Sequence, residues 1–436
     1  MKNTTKQPTA TAMSKGFSTL QATGVKMFNI KQYIMFLRLF LSIIVLLGFF
    51  GCNSSNSTDL QNEMQSIVHI KWLAYANDNM GGNGSIAICI TSPKGDYFLK
   101  SGNTSSEITT DSHFRAASTT KTFTAAAIML LYQQGMLDID DKLTDLIPNQ
   151  SNPYLPDSPA YAIPYKDEIT IKALLEHRAG VFDLTNTDIP KSVPPPLAGE
   201  RYETYIRKVL GQEHQFTLEE LISVVSVNQI YTDSPGVKFA YSDTGYTILG
   251  KIIEEVSGKS YHDFIRDNFF TPYSLNRSSM PYLGNDWTMP SPFISGDIWS
   301  DNHFYSGLSE ESYSTYNNVS ASVAQGNLVT TLENLNRWVR GWLTGNMGLT
   351  LETVAMMKEV IPTGEYHQFY GLGTIYTPGL GYGHNGAITG YLTIMRYDPQ
   401  SDIAVTASVN IWNMDNFYSM ADIAFDILSE IKQLLE

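Results

Sequence analysis

Cysteine is scarce in this chain of 436 residues, with only Cys52 and Cys89 present. Two cysteines so far apart exclude a disulfide framework and a cysteine-based metal site. Cys89 lies in the apolar run SIAICI, and we expect it to be a small buried core residue. The fold must therefore rest on its hydrophobic core.

Positive charge is also in short supply. The chain has 29 Lys and Arg against 43 Asp and Glu, a net charge of −14, and no run of basic residues interleaved with aromatic ones. This composition argues against nucleic acid as a partner. With 43% hydrophobic residues, the chain is long enough to bury a sizeable core.

The first 51 residues differ in charge from the rest, because they hold six basic residues and no acidic one. Lys31 and Arg38 precede the apolar run Leu39–Gly51, which is shorter than the ~20 residues of a transmembrane helix. A basic region followed by a short apolar run is typical of a signal peptide, and the run ends at Cys52. We expect residues 1–52 to be a bacterial lipoprotein leader, with Met27 an alternative start.

On this interpretation Cys52 is lipidated, residues 53–64 form a tether, and the protein is exported and anchored in the membrane of the bacterial cell envelope. The open alternatives for this leader are an uncleaved membrane anchor and ordinary secretion.

Strand patterns lie at both ends of the remaining chain and helical patterns lie between them. Residues 84–90 and 96–100 read as a hairpin, and residues 391–397 and 403–410 as later strands. The sequence predicts an α+β fold, in which one antiparallel sheet flanked by helices is built from both chain ends. The hydrolase domain would be 65–436, with sheet parts 65–148 and 321–436 and a mainly helical insert at 149–320.

Ser118 and Lys121 stand at the head of a predicted buried helix, so their side chains share one face. A lysine there can take the serine proton if a buried, electropositive setting lowers its pKa. The Ser118 N–H is then a candidate oxyanion donor. The alternative is an N-cap serine beside a surface lysine. The tetrapeptide recurs at Ser429 to Lys432, which we expect to be a solvated surface pair.

Two further motifs follow. Tyr241-Ser242-Asp243 precedes a predicted helix, and a phenol beside a cation can relay a proton when its pKa is lowered. His384-Asn385-Gly386 lies where an edge strand should begin, and its glycines would let a backbone approach a substrate. Read alone, these motifs also fit a buried structural tyrosine, with Asp243 as a helix N-cap, and a structural histidine.

The order Ser118/Lys121, Tyr241/Asp243, His384/Gly386 resembles the serine β-lactamase-like family, which includes class C β-lactamases, serine D-Ala-D-Ala carboxypeptidases and related esterases. The resemblance spans roughly residues 65–430. It implies that Ser118 forms an acyl-enzyme while Lys121 and Tyr241 move protons. It also implies an oxyanion hole at the N–H groups of Ser118 and Ala387, a substrate-binding His384, and no metal or cofactor.

Asp243 departs from the family's second motif, Tyr-x-Asn. An ionised carboxylate only accepts hydrogen bonds, so Asp243 would not donate to a substrate carbonyl as asparagine does. We expect it either to hold Lys121 charged or to accept from a substrate N–H.

The leading functional hypothesis is a D-Ala-D-Ala carboxypeptidase-type peptidase acting on cell-wall peptides, with peptidoglycan as a partner. A β-lactamase or carboxylesterase on the same scaffold is the first alternative, with a β-lactam or ester as substrate. A penicillin-binding or sensor protein without turnover is the second, and an unrelated adhesion or substrate-binding lipoprotein is the last.

Overall fold

The computed structural model describes residues 53–104, 107–300, 315–364 and 368–436. The predicted leader and Cys52 therefore lie outside the described residues. Residues Ser57–Glu436 form one compact unit. No helix in the described ranges is long and apolar enough to cross a membrane.

The main sheet has eight strands and draws on both ends of this unit. Its order is β2-β1-β11-β10-β9-β8-β7-β6, and every neighbouring pair is antiparallel. The strands are β1 (Gly84–Ser92), β2 (Gly95–Asn103), β6 (Ile361–Pro362), β7 (Phe369–Tyr370), β8 (Ile375–Thr377), β9 (Gly381–Ile388), β10 (Tyr391–Asp398) and β11 (Ile403–Val409).

Two small sheets accompany it. β3 (His113–Ala117) pairs antiparallel with β5 (Leu328–Thr331), and β4 (Asp297–Trp299) pairs parallel with β12 (Ile411–Asn413). The α-helices of the described residues are Asn53–Met80, Thr120–Gln133, Ile171–Leu175, Tyr202–Leu210, Leu218–Val227, Asp243–Ser257, Tyr261–Ile265, Leu332–Leu343, Leu351–Met357 and Phe417–Leu435.

The main sheet separates two apolar cores because its strands alternate. In β1, Ile86, Ile88 and Ile90 face the core formed with the first and last helices, whereas Ala87 and Cys89 face the core around helix Thr120–Gln133. Successive side chains of a strand point to opposite faces, so one strand serves both cores. Helix Thr120–Gln133, which follows Ser118, is thus enclosed between the sheet and the inserted helices.

The predicted α+β architecture is confirmed. The segment predicted as a tether at 53–64 is an exception, because helix Asn53–Met80 includes it. Leu60, Met64 and Trp72 of this helix pack on the second core, and the helical hydrogen bonds continue into the polar residues before them. Helix Tyr202–Leu210 was not predicted, since it has only two buried side chains to set a pattern.

Candidate active site

Ser118 lies on a tight turn between β3 and helix Thr120–Gln133, which we call the nucleophile helix. Ala117 has a φ of +49°, a left-handed conformation that costs energy for any residue except glycine, and the pairing of β3 with β5 shifts register between Arg115 and Ala117. Ser118 is partly exposed while the residues on both sides of it are buried. The turn therefore presents one hydroxyl at the surface of a rigid core.

Lys121 is fully buried and all three of its N–H bonds have acceptors. Its Nζ lies 3.1 Å from Ser118 Oγ, 2.6 Å from Asp243 Oδ1 and 2.8 Å from the carbonyl oxygen of Gln325. The electropositive setting that a lysine base would require is not what surrounds Lys121, because its nearest charged neighbour is the Asp243 carboxylate. The prediction that Asp243 holds Lys121 charged agrees with this geometry. Gln325 gave no signal in the sequence, because it acts through its backbone carbonyl.

Asp243 is buried at the first turn of helix Asp243–Ser257. Ser242, and not Asp243, caps this helix, since its Oγ accepts from the Gly245 N–H at 3.2 Å. Because Ser242 does the capping, the Asp243 carboxylate is free to turn towards the nucleophile helix. The alternative of Asp243 as N-cap is therefore excluded.

The second oxygen of Asp243 is held by a residue that the sequence did not single out. Asn186 Nδ2 donates to Asp243 Oδ2 at 3.0 Å and to Asp183 Oδ2 at 2.9 Å. Burial, followed by the negative charge of Asp243, raises the pKa of Asp183 to about 6. The carboxylate that contacts Lys121 is thus linked through the Asn186 amide to a second buried carboxylate, that of Asp183.

Tyr241 lies beside both members of the Ser118–Lys121 pair. The Ser118 side chain lies close enough to the Tyr241 hydroxyl to favour its ionised form, and Lys121 Nζ lies 4.9 Å from the Tyr241 ring centroid. Burial and then the charge of Asp243 raise the pKa of Tyr241 well above 10. The pKa-lowering effect of a neighbouring cation, which would favour proton relay by this phenol, is therefore outweighed, first by burial and then by Asp243. Tyr241 is a neutral phenol at pH 7.

His384 is buried on β9 and is also neutral. Its Nε2 pairs with the Tyr370 hydroxyl at 2.9 Å and its Nδ1 with the Asn385 carbonyl at 2.6 Å. Burial, with a smaller effect of the Lys121 charge, lowers the pKa of His384 to about 3. At neutral pH it therefore offers no positive charge to a substrate carboxylate.

His177 supports the second motif and was missed in the sequence. Its Nδ1 accepts from the Ser242 N–H at 3.1 Å, and its carbonyl accepts from the Ala240 N–H at 2.8 Å. The imidazole lies against the Tyr241 ring with the centroids 4.2 Å apart. Burial lowers its pKa well below 6.5. Its only sequence signal was the segment LLEHRAG, which the family resemblance covered without assigning a role.

Strand β9 brings Gly386 and Ala387 to the nucleophile turn. A Cβ on Gly386 would lie 2.1 Å from the Ala116 carbonyl oxygen and 3.2 Å from the Ser118 nitrogen, so only glycine permits this approach. β8 pairs with Gly381–Gly383, and among the described residues the pairing on that side of β9 stops there. β9 thus lies directly against the nucleophile turn, and the approach of this backbone to a substrate stays a prediction.

Ser118, Tyr241, Asp243, His384 and Ala387 all line one open cavity of about 800 Å³. The structure therefore joins all three sequence motifs in one place. Asp183, Asn186, Arg201 and Arg207 form another part of its wall. In the described part of the chain, no group of three or more His, Cys, Asp or Glu side chains could hold a metal ion.

The second Ser-x-x-Lys tetrapeptide is unlike the first. Ser429 Oγ donates to the carbonyl of Phe425, and Lys432 Nζ lies 2.8 Å from Asp398 Oδ2. Lys432 is buried, so the expectation of a solvated surface pair is wrong. Nevertheless, this pair lines none of the cavity around Ser118.

Known proteins resemble this chain in fold and in sequence. Penicillin-binding protein 4 of Amycolatopsis lactamdurans is 24% identical over 355 residues, which cover 74% of this chain and 78% of that protein. The D-amino acid amidase from Ochrobactrum anthropi SV3, solved with L-phenylalanine amide, superposes with a TM-score of 0.67 at 22% identity, covering 86% of this chain and 99% of that one.

A D-stereospecific amidohydrolase from Streptomyces superposes with a TM-score of 0.64 at 20% identity, covering 80% of this chain and 94% of that one. At these identities the two solved structures establish a common fold. The family model for β-lactamase matches residues 79–427, which include all three motifs. The chain therefore belongs to the β-lactamase family.

Proposed function

We propose that this protein is a serine hydrolase that forms an acyl-enzyme on Ser118 and cleaves amide bonds of D-amino-acid-containing peptides or amides. One observation carries the proposal: Lys121 Nζ lies 3.1 Å from Ser118 Oγ, and Ser118 and Tyr241 line the same open cavity. The D-amino acid amidase and penicillin-binding relatives support the substrate class.

In the proposed reaction, Ser118 Oγ attacks the substrate carbonyl while its proton passes to the oxygen of Tyr241. In the same concerted step Tyr241 passes its own proton to the substrate nitrogen, so the phenol stays neutral throughout. The C–N bond then breaks and the neutral amine or ammonia leaves. The Lys121 ammonium stabilises partial negative charge that develops on Ser118 Oγ and on the Tyr241 oxygen. The N–H groups of Ser118 and Ala387 donate hydrogen bonds to the substrate carbonyl oxygen as it becomes an oxyanion. Water then releases the acyl group by the reverse proton path.

The charges of the cavity favour an amidase over a D-Ala-D-Ala carboxypeptidase. A carboxypeptidase substrate ends in a carboxylate, which needs a cationic partner once it leaves water. Both arginines of the cavity wall are paired, Arg201 with Asp188 and Arg207 with Glu203, and His384 is neutral. An amide without a terminal carboxylate meets no such requirement.

The test has two stages. A fluorophosphonate should label the purified chain on Ser118, Ser118→Ala should abolish labelling, and Ser429→Ala should leave it intact. Absence of labelling in the folded protein would reject the nucleophile. The release of ammonia from D-alanine amide is then compared with the release of D-Ala from a D-Ala-D-Ala peptide and with nitrocefin and p-nitrophenyl acetate hydrolysis. Turnover of the ester alone would reject both amide-cleaving versions.

We also propose that the chain is anchored to the bacterial cell envelope through a lipid on Cys52. The support is the sequence pattern of a basic region, an apolar run and a cysteine. Expression with a palmitate analogue should label the full chain, and Cys52→Ala should remove the label. A chain that stays unlabelled and is released to the medium would favour ordinary secretion.

A further inference from the structure

Asn186 occupies an unusual position, because a single amide nitrogen lies between two buried carboxylates. Its Nδ2 is 3.0 Å from Asp243 Oδ2 and 2.9 Å from Asp183 Oδ2. Both N–H bonds of the amide are thereby used. Asp183 and Asp243 are only 7% and 4% exposed, so water screens their mutual repulsion poorly.

Backbone groups hold Asp183 in place independently of the Asn186 side chain. Its Oδ1 accepts from the backbone N–H groups of Thr185 and Asn186 at 3.1 and 3.2 Å. It therefore stays in place when the Asn186 side chain changes. Within the described ranges Asp243 has no such backbone anchor, and its carboxylate accepts from two side-chain donors, Lys121 Nζ and Asn186 Nδ2.

We propose that Asn186 is a positioning residue that holds the Asp243 carboxylate against Lys121 by bridging it to Asp183. Asn186 acts on the reaction through these two side chains. This inference rests on the proposed function, since it concerns how Lys121 is held beside Ser118.

The bridge implies a characteristic pH dependence. The charged groups facing Asp183 are Asp243 and Lys121, with Tyr241 the neighbouring phenol; Arg201 is engaged nearby with Asp188 and the Thr185 carbonyl. The pKa of Asp183 is raised to about 6. The Asn186 side-chain hydrogen bond lowers this pKa, so removing the amide raises it further. In the variant both carboxylates are charged and repel at a pH above the raised pKa, whereas at pH 5 Asp183 is neutral and the repulsion disappears.

The test measures the rate constant of fluorophosphonate labelling at Ser118 from pH 5 to pH 8.5. Asn186→Ala should slow labelling about tenfold at pH 8, the size of one coupled contact between neighbours, and much less at pH 5. Because each value is divided by the wild-type rate at the same pH, titrations common to both proteins cancel. Thr187→Ala, an exposed substitution in the same loop, is the matched control and should follow wild type.

A second variant separates positioning from general damage to the fold. Asp183→Asn combined with Asn186→Ala removes the repelling charge, so it should label faster at pH 8 than Asn186→Ala alone. A loss that is equal at all pH values, no loss at all, or a loss without rescue in the double variant would overturn the bridge. If wild type itself is not labelled, the proposed function fails instead, so the two failures are distinguishable.

Discussion

Lys121 Nζ and Asp243 Oδ1 form a buried ion pair at 2.6 Å, with side-chain exposures of 0% and 5%. Burying two charges is costly, and it is repaid only when the remaining donors and acceptors are also satisfied. Here Ser118, Gln325 and Asn186 satisfy them. The pair is therefore part of a network that fixes the lysine beside the nucleophile.

Replacing Asp243 with asparagine tests what this charge does. Asp243→Asn leaves an oxygen for Lys121 but removes its counter-ion, so the free energy of unfolding should fall by about 3 kcal/mol, as for other broken buried pairs. The new amide can donate to a substrate carbonyl. We expect faster covalent labelling by a fluorescent penicillin, measured relative to p-nitrophenyl acetate turnover.

The matched control for this change lies in the other buried lysine pair. Asp398→Asn removes a carboxylate from Lys432, and neither residue lines the cavity. It should lower stability without altering penicillin labelling. Unchanged labelling in Asp243→Asn would refute the idea that Asp243 limits β-lactam handling.

The packing of β9 against the nucleophile turn gives a second prediction. In Gly386→Ala the new methyl would collide with the Ala116 carbonyl, so β9 must move and carry the Ala387 N–H with it. Loss of one oxyanion donor costs about 100-fold or more in rate. We expect a decrease of that order in kcat/KM for p-nitrophenyl acetate.

Gly379→Ala is the control for Gly386→Ala. Gly379 lies just before β9 at a φ of +81° with open space where its Cβ would go. The change should cost about 1 kcal/mol of stability through backbone strain and leave kcat/KM unchanged. Equal activity of the two variants would show that the approach of Gly386 to Ser118 is not needed.

The sequence predicts residues whose chemistry has a fixed local spacing, and misses those placed only by the tertiary fold. Ser118 and Lys121 share a helical turn, and the hairpin at β1 and β2 follows from alternating burial. Asn186 donates a hydrogen bond to Asp243, 57 positions away in the sequence, and the Gln325 carbonyl accepts one from Lys121, 204 positions away. The hydrophobic periodicity of a sequence does not reveal contacts between residues so far apart.

The direction of a pKa shift is equally hard to predict from the sequence. A phenol relays a proton more readily when a neighbouring cation lowers its pKa, but in the fold burial, and then the charge of Asp243, raise the pKa of Tyr241. The sign thus depends on desolvation, which a motif alone does not show.

The neutrality of His384 leads to a third prediction. Because its pKa is lowered to about 3, its charge plays no part between pH 5 and pH 8. His384→Gln keeps a polar partner for the Tyr370 hydroxyl, so kcat/KM should fall by no more than about fivefold, the value of one neutral hydrogen bond. The pH profile of kcat/KM for p-nitrophenyl acetate should keep its shape. A shifted acid limb would mean that the imidazole is charged in the working enzyme.

The buried histidines also predict how stability depends on pH. His177 and His384 have folded-state pKa values below 6.5, so as the pH falls below 6.5 the unfolded chain binds protons that the folded one does not. Each such proton lowers the free energy of unfolding by about 1.4 kcal/mol per pH unit. Asp183 acts oppositely, because its raised pKa of about 6 lets the folded state bind a proton first between pH 6 and 4.

Other groups with shifted pKa values, among them His262, Glu176 and Asp286, contribute to the slope in every variant, so the prediction concerns differences from wild type. Asp183→Asn removes the opposing group and should steepen the fall in stability between pH 6 and pH 4.5 by about one proton, whereas His384→Gln should flatten it by about one proton. Urea unfolding at half-unit steps of pH measures all three slopes. Identical slopes in the three proteins would contradict the neutral, buried state of His384 and the shared site of Asp183 and Asp243.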